Sequence, residues 1–247
     1  MYINVLLTPT ELPKSSENGE RVAIVIDVLR ASTTICIAFS SGVKAIIPST
    51  SVEEATGIFQ ALPPSIRLLG GERRGVKQPG FDIGNSPLEY TPEIVNGKII
   101  SFTTSNGTNA LQLVRAADSI YIGSFMNLQA LSEYIADNHS QSNSEITIIC
   151  AGSSGAFSLE DACCAGGYVG YLSSFIPTAQ LSDSAVASES LFSNYRDNLL
   201  GFLQSTTHGK SLRELGFSDD IECAADLNSL EVVPKISGDS IISATLT

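Results

Sequence analysis

The chain has 247 residues, 43% of them hydrophobic and few aromatic, enough to bury a substantial core without disulfide staples. Its net charge of −12 argues against sequence-independent binding to nucleic acid or anionic membrane, both of which need a basic face, so no nucleic-acid or membrane partner is expected. The partner implied is a small molecule or a protein.

In chain order, MYINVLLTPT carries no basic segment and only a short apolar stretch, so no signal peptide is read there. No apolar run reaches the roughly 18 residues of a membrane span. The five cysteines (Cys36, Cys150, Cys163, Cys164, Cys223) include no CxxC spacing. Reduced, mostly buried thiols in a cytoplasmic protein are the expectation.

Short β-branched runs predict strands at 22–26, 43–48, 66–70, 97–102, 119–123 and 145–151. Between them, helix-like segments run over 32–41, 52–61, 106–117, 127–138 and 158–175, several opening on Ser, Thr or Asn. Strand alternating with helix predicts an α/β fold with a parallel or mostly parallel (mixed) sheet flanked by helices. From about residue 176 the pattern turns mainly helical, with a closing strand pair in LEVVPKI and SIISATL. The expected organisation is one domain over 1–247, with 176–247 a helical elaboration.

Four polar stretches each follow a predicted strand: DVLRASTT (27–34), GGERRGVKQPGFDIGNSP (70–87), TTSNGT (103–108) and CAGSSGAFSLED (150–161). Ligands of open α/β sheets bind outside the carboxyl ends of the strands, so parallel strands would gather all four loops on one rim. Asp27, Glu72, Asp82, Glu160 and Asp161 would supply oxygen ligands of the kind Mg²⁺ takes. Arg30, Arg73, Arg74 and Lys77 would supply cations for phosphate or carboxylate. The hydroxyls of ASTT (Ser32, Thr33, Thr34) and of TTSNGT precede predicted helices, whose N-terminal amides favour an anion. Carboxylates for a metal and cations for an anion on one rim suggest phosphoryl chemistry.

Each of these residues also has a plainer reading. Asp27 suits a helix cap, Arg74 and Lys77 a solvated loop, and Ser105, Asn106 and Gly107 a simple strand-to-helix turn. Their joint position favours function. Several signatures are absent: HGKS (208–211) lacks the first glycine of a P-loop, GSSG (152–155) is not G-x-S-x-G, and there is no G-x-G-x-x-G or HExxH. Ala156 stands where a cysteine-based phosphatase loop places arginine. His139 and His208 fall in polar segments read as exposed, and neither is assigned a catalytic role.

On these same four stretches the chain resembles the 2-phosphosulfolactate phosphatase family, from about residue 5 to at least 175. The resemblance implies a Mg²⁺-dependent phosphoric monoester hydrolase acting on phosphate esters of 2-hydroxycarboxylic acids. Its name-giving substrate, 2-phospho-3-sulfolactate, gives 3-sulfolactate and phosphate on the route to coenzyme M. It implies catalytic roles among Asp27, Glu72 and Asp161, and metal ligation by Asp27, Glu72, Asp82, Glu160 and Asp161. It implies substrate contacts at Arg30, Ser32, Thr33, Arg73, Thr104, Ser105, Asn106, Gly107 and Thr108.

A small anionic phosphorylated substrate would be repelled by this protein unless a basic pocket dominated within a Debye length of about 8 Å. Arg30, Arg73, Arg74 and Lys77 are the candidates. Alternatives are a phosphatase or phosphotransferase on another phosphorylated acid, and a non-enzymatic module that binds a phosphorylated metabolite. The acidic cluster favours catalysis, because binding alone has no use for it. Self-association, as a homodimer, stays open.

Overall fold

The computed structural model describes residues 1–9, 19–105, 110–111, 113–139 and 144–244. Its strands are β1 Tyr2–Leu6, β2 Arg21–Ile26, β3 Ala45–Pro48, β4 Arg67–Arg73, β5 Val76–Lys77, β6 Ile99–Thr103, β7 Ser119–Gly123, β8 Glu145–Cys150, β9 Gln180–Leu181, β10 Pro234–Ser237 and β11 Ser240–Ser243. The helices are α1 Ala31–Ser40, α2 Val52–Ala61, α3 Pro92–Val95, α4 Leu128–His139, α5 Leu159–Phe175, α6 Asp183–Tyr195, α7 Leu199–Ser205, α8 Thr207–Glu214 and α9 Ser218–Ala224. Of the expected helix 106–117, residues 106–109 and 112 lie outside the described residues, and Ala110, Leu111 and Leu113 are helical.

The strands form one mixed, mostly parallel sheet in the order β5-β4-β6-β3-β11-β10-β7-β2-β8-β1-β9. Each central strand is apolar on both sides because each side meets a different core. Val22, Ile24 and Ile26 of β2 join Ile146 and Ile148 of β8 in a core covered by α4, α5 and α6. Ala23 and Val25 face the opposite core with Ile35 of α1, Ile46 of β3 and Phe102 of β6. Each such fully buried side chain contributes about 1.5–3 kcal/mol.

Small residues let the covering helices approach. A Cβ on Gly166 of α5 would stand 1.8 Å from Ser188 O of α6, and one on Gly123 of β7 would stand 2.7 Å from Tyr168.

The C-terminal third is mainly helical, as its pattern predicts, and its strand pair inserts mid-sheet. The β10–β11 hairpin pairs antiparallel with β7 through Lys235↔Tyr121 and with β3 through Ile241↔Ile46. Three successive antiparallel pairings reverse the sense of the ladder, so β3, β4 and β6 run opposite to β7, β2, β8 and β1. The expected single rim of parallel strand ends is therefore corrected. What brings the ends of β2 and β6 together is the shared core: Val25 and Asp27 line one small cavity with Phe102 and Thr104.

Candidate active site

The loops after β2, β4, β6 and β8 meet α8 around a cleft of about 360 Å³. Asp27, Arg30, Glu72, Arg74, Ser105, Ser153, Ser154 and His208 line it, with Leu212 and Leu215 closing one side.

Asp27 ends β2 as a buried carboxylate. Its backbone and Ser32 close the turn into α1: Ser32 N donates to Asp27 O at 2.8 Å and Asp27 N to Ser32 Oγ at 3.1 Å. Burial raises the Asp27 pKa to about 6; His208 opposes the shift, while the like charges of Glu72 and Glu160 add to it. Thr33 Oγ1 donates to Val28 O and Thr34 Oγ1 to Asn85 O. The hydroxyls of the first motif thus hold the loop itself: Ser32 closes the turn at Asp27, Thr33 bonds Val28 and Thr34 bonds Asn85.

Glu72 organises the second and third motifs. Its Oε2 accepts the Gly75 N–H at 2.6 Å, and its Oε1 accepts the Ser105 N–H at 2.7 Å. Arg74 and Gly75 form the two-residue β4–β5 turn with φ of 54° and 80°, a left-handed pair that favours glycine at one position. The turn sets Arg74, exposed, on the cleft wall. Arg73 points elsewhere: its Nη1 donates to Glu72 O and its Nη2 to Thr103 Oγ1, both at 2.8 Å, tying β4 to β6.

The five expected metal carboxylates do not gather as one ligand set. Asp82 is exposed, and its Oδ2 accepts the Leu69 N–H. Asp161 accepts Val28 N–H on one oxygen and Gly152 N–H on the other, bracing the β2 loop against the β8 loop. Burial, with the charges of Asp27 and Glu160, pushes its pKa well up. Glu160 holds His208. Among the described residues no three His, Cys, Asp or Glu side chains stand in a metal-ligating group. Thr104 is buried beside Asp27 in the small cavity. Asn106, Gly107 and Thr108 lie outside the described residues.

Arg30 is 3% exposed and does more internal work than a substrate clamp would. Nη1 donates to Asp220 Oδ2 and Nη2 to Gly75 O, each at 2.6 Å, and the guanidinium lies 4.2 Å from the Phe217 ring centroid. It still lines the cleft. Lys77, exposed, reaches Asp82 O at 3.4 Å.

The sequence reading missed what the C-terminal third contributes. His208 is half-buried in the cleft, its Nδ1 3.2 Å from Glu160 Oε1. Burial opposes its charge, yet the hydrogen bond and charge of Glu160, then the charge of Asp27, outweigh that and raise its pKa above 6.5. Glu160 is lowered despite burial, through His208 and backbone hydrogen bonding. No local pattern announces His208, because its partner Glu160 lies 48 residues away in sequence. His139, also expected to be exposed, is a buried structural group between Glu20 and Tyr121, 2.7 Å from each.

Two buried carboxylates, two arginines and a histidine thus line one cleft of an α/β fold. The profile of the 2-phosphosulpholactate phosphatase family matches residues 6–239. The chain is 38% identical to a probable 2-phosphosulfolactate phosphatase of Symbiobacterium thermophilum over 94% of this chain and 97% of that protein. It is 39% identical to one from Caldanaerobacter subterraneus, covering 88% of each. A third, from Clostridium acetobutylicum, is 33% identical over 98% of this chain and its full length. The chain belongs to the 2-phosphosulfolactate phosphatase family, and with it to the phosphoric monoester hydrolases. No helix among the described residues is long and apolar enough to cross a membrane.

Proposed function

We propose that the cleft hydrolyses the phosphate ester of a 2-hydroxycarboxylic acid, 2-phospho-3-sulfolactate in the first instance, with a divalent cation, Mg²⁺, as cofactor. The observation that carries this reading is that Asp27 and Glu72 share one cleft with Arg30, Arg74 and His208.

The donor set suits the cation. Asp27 and Glu72 bring buried carboxylates to the cleft, and a substrate bearing phosphate, sulfonate and carboxylate adds more negative charge. Mg²⁺ is usually held through one or two carboxylates plus substrate oxygens and water, and Asp27 and Glu72 are the carboxylates facing the cleft. Glu160 and Asp161 do not line the cleft and are not assigned to it. When bound, the ion supplies charge neutralisation at the phosphoryl oxygens.

The chain's own groups do the rest. Arg74, exposed on the wall, offers its guanidinium to the sulfonate or carboxylate. Arg30 keeps a positive charge fixed beneath the reacting centre. Leu212 and Leu215 pack beside Gly75 and narrow the cleft there. Asp27 lies where it can hold the phosphoryl end and accept a proton.

Phosphate release over a panel of 2-phospho acids, with and without Mg²⁺, tests the reading. Release from 2-phospho-3-sulfolactate above phospholactate and phosphoglycolate is expected. Release from none of them would refute it.

A further inference from the structure

Expelling the alkoxide of a 2-hydroxy acid from phosphorus demands a proton at the ester oxygen, and general acids typically contribute 10²–10⁴-fold to such steps. Asp27 belongs to the phosphoryl end. Both oxygens of Glu72 already accept hydrogen bonds, and arginine does not release a proton near neutral pH.

His208 differs from all of these. It lies on α8, whose start is fixed by Thr206 Oγ1 accepting the Gly209 N–H at 3.0 Å. Glu160, in the first turn of α5 and 2% exposed, receives its Nδ1. A carboxylate at Nδ1 fixes the tautomer and orients the ring, and it leaves Nε2 to serve the cleft. Glu160 is the side chain hydrogen-bonded to the ring, and the ring itself lines the cleft that Asp27 and Arg30 also line.

We infer that His208 is the general acid of the hydrolysis, with Glu160 its positioning residue. The inference rests on the phosphatase reading above. As water oxygen forms its bond to phosphorus, the bond from phosphorus to the ester oxygen breaks and leaves its electron pair on that oxygen. Nε2–H transfers its proton there. The attacking water gives up one proton, which restores the imidazolium, and keeps the other on the departing hydrogen phosphate. The products are the 2-hydroxy acid and inorganic phosphate.

The test compares two leaving groups within the same substrate class: 2-phospholactate and its trifluoromethyl analogue, 2-phospho-3,3,3-trifluorolactate, whose alkoxide leaves without much help. With saturating Mg²⁺, His208→Gln should lose about 10²–10⁴-fold in kcat on phospholactate. It should lose at least about tenfold less on the trifluoro ester, because a better leaving group has less need of the acid. Glu160→Gln, which keeps an acceptor at Nδ1, should show the same selectivity with a smaller loss. Equal losses on both esters, or none, would overturn the assignment while leaving the phosphatase reading intact. Should His208→Gln fail to fold, the wild-type rate ratio decides. A ratio near one supports a proton donor, and a strongly faster trifluoro ester overturns it. Wild-type protein that releases phosphate from neither ester, nor from 2-phospho-3-sulfolactate, would overturn both proposals.

Discussion

Arg30 Nη1 and Asp220 Oδ2 stand 2.6 Å apart with both side chains 3% exposed, joining the first polar motif to a helix 190 residues later. Ser86 Oγ donates to the other oxygen of Asp220 at 2.6 Å, and Arg30 also reaches Gly75 O. Three stretches of chain, around Arg30, within 70–87 and around Asp220, therefore meet on one buried ion pair. The cleft depends on that junction, because the α8–α9 segment that carries His208 is pinned through it.

Removing one partner of a buried pair strands the other charge, which typically costs 3–5 kcal/mol. Asp220→Ala should therefore lower the urea midpoint strongly at unchanged m. Asp219→Ala, exposed on the same helix, should stay within about 0.5 kcal/mol. Equal midpoints would show that the junction contributes nothing.

Arg30→Lys keeps the charge but lacks the planar fork that serves Asp220 and Gly75 at once. A loss in kcat/KM of at least about tenfold, roughly 1.4 kcal/mol, is expected. Arg67→Lys is the control for activity alone. Its Nη1 reaches the carbonyls of Phe59, Gln60 and Leu62, so it should lower Tm while leaving kcat/KM unchanged.

Phosphate release should vanish in EDTA and return with Mg²⁺ or Mn²⁺, since Asp27 and Glu72 without a cation would repel an anionic substrate. Full activity after exhaustive chelation would contradict the metal assignment.

Asp27→Asn keeps shape, removes a charge and should cost about 10²-fold or more in kcat. Its stability should move the other way. The folded pKa of Asp27, about 6 against an ordinary 3.8, means that the folded state binds more protons between those values. Wild-type stability therefore falls as pH rises through that window and does not recover above it. In EDTA, the Tm advantage of Asp27→Asn should grow from pH 4 to 6 and then level. A Tm difference independent of pH would count against the buried carboxylate.

Alternation of strand and helix and the polar loops were legible locally, because β-branched runs such as VAIVI and caps such as Ser51 and Ser158 act within a few residues. The placement of the β10–β11 hairpin between β3 and β7 was not, since it rests on single pairings far apart in sequence. For the same reason the loops converge by packing around a shared core instead of along one rim. Asp27 and Glu72 could be picked out as carboxylates ending strands. His208, Glu160 and Asp220 acquire their roles only from partners 48 to 190 residues away, which no local pattern announces.

Glu72 offers the last test, one that separates shape from charge. Its carboxylate accepts three hydrogens, from Gly75 N, Ser105 N and Ser105 Oγ at 2.6, 2.7 and 3.2 Å. Glutamine has one accepting oxygen, so Glu72→Gln must point an NH₂ at a backbone N–H and leave one amide without its partner. The clamp between the β4–β5 turn and residue 105 should open, moving Arg74 from the cleft wall. Limited proteolysis should then cut within 73–80 faster than in the wild type, and KM for a 2-phospho acid should rise along with the fall in kcat. Asp82→Asn, on the same stretch but exposed, should leave kinetics unchanged. A kcat loss with wild-type KM and wild-type protease resistance would mean that Glu72 acts through its charge alone.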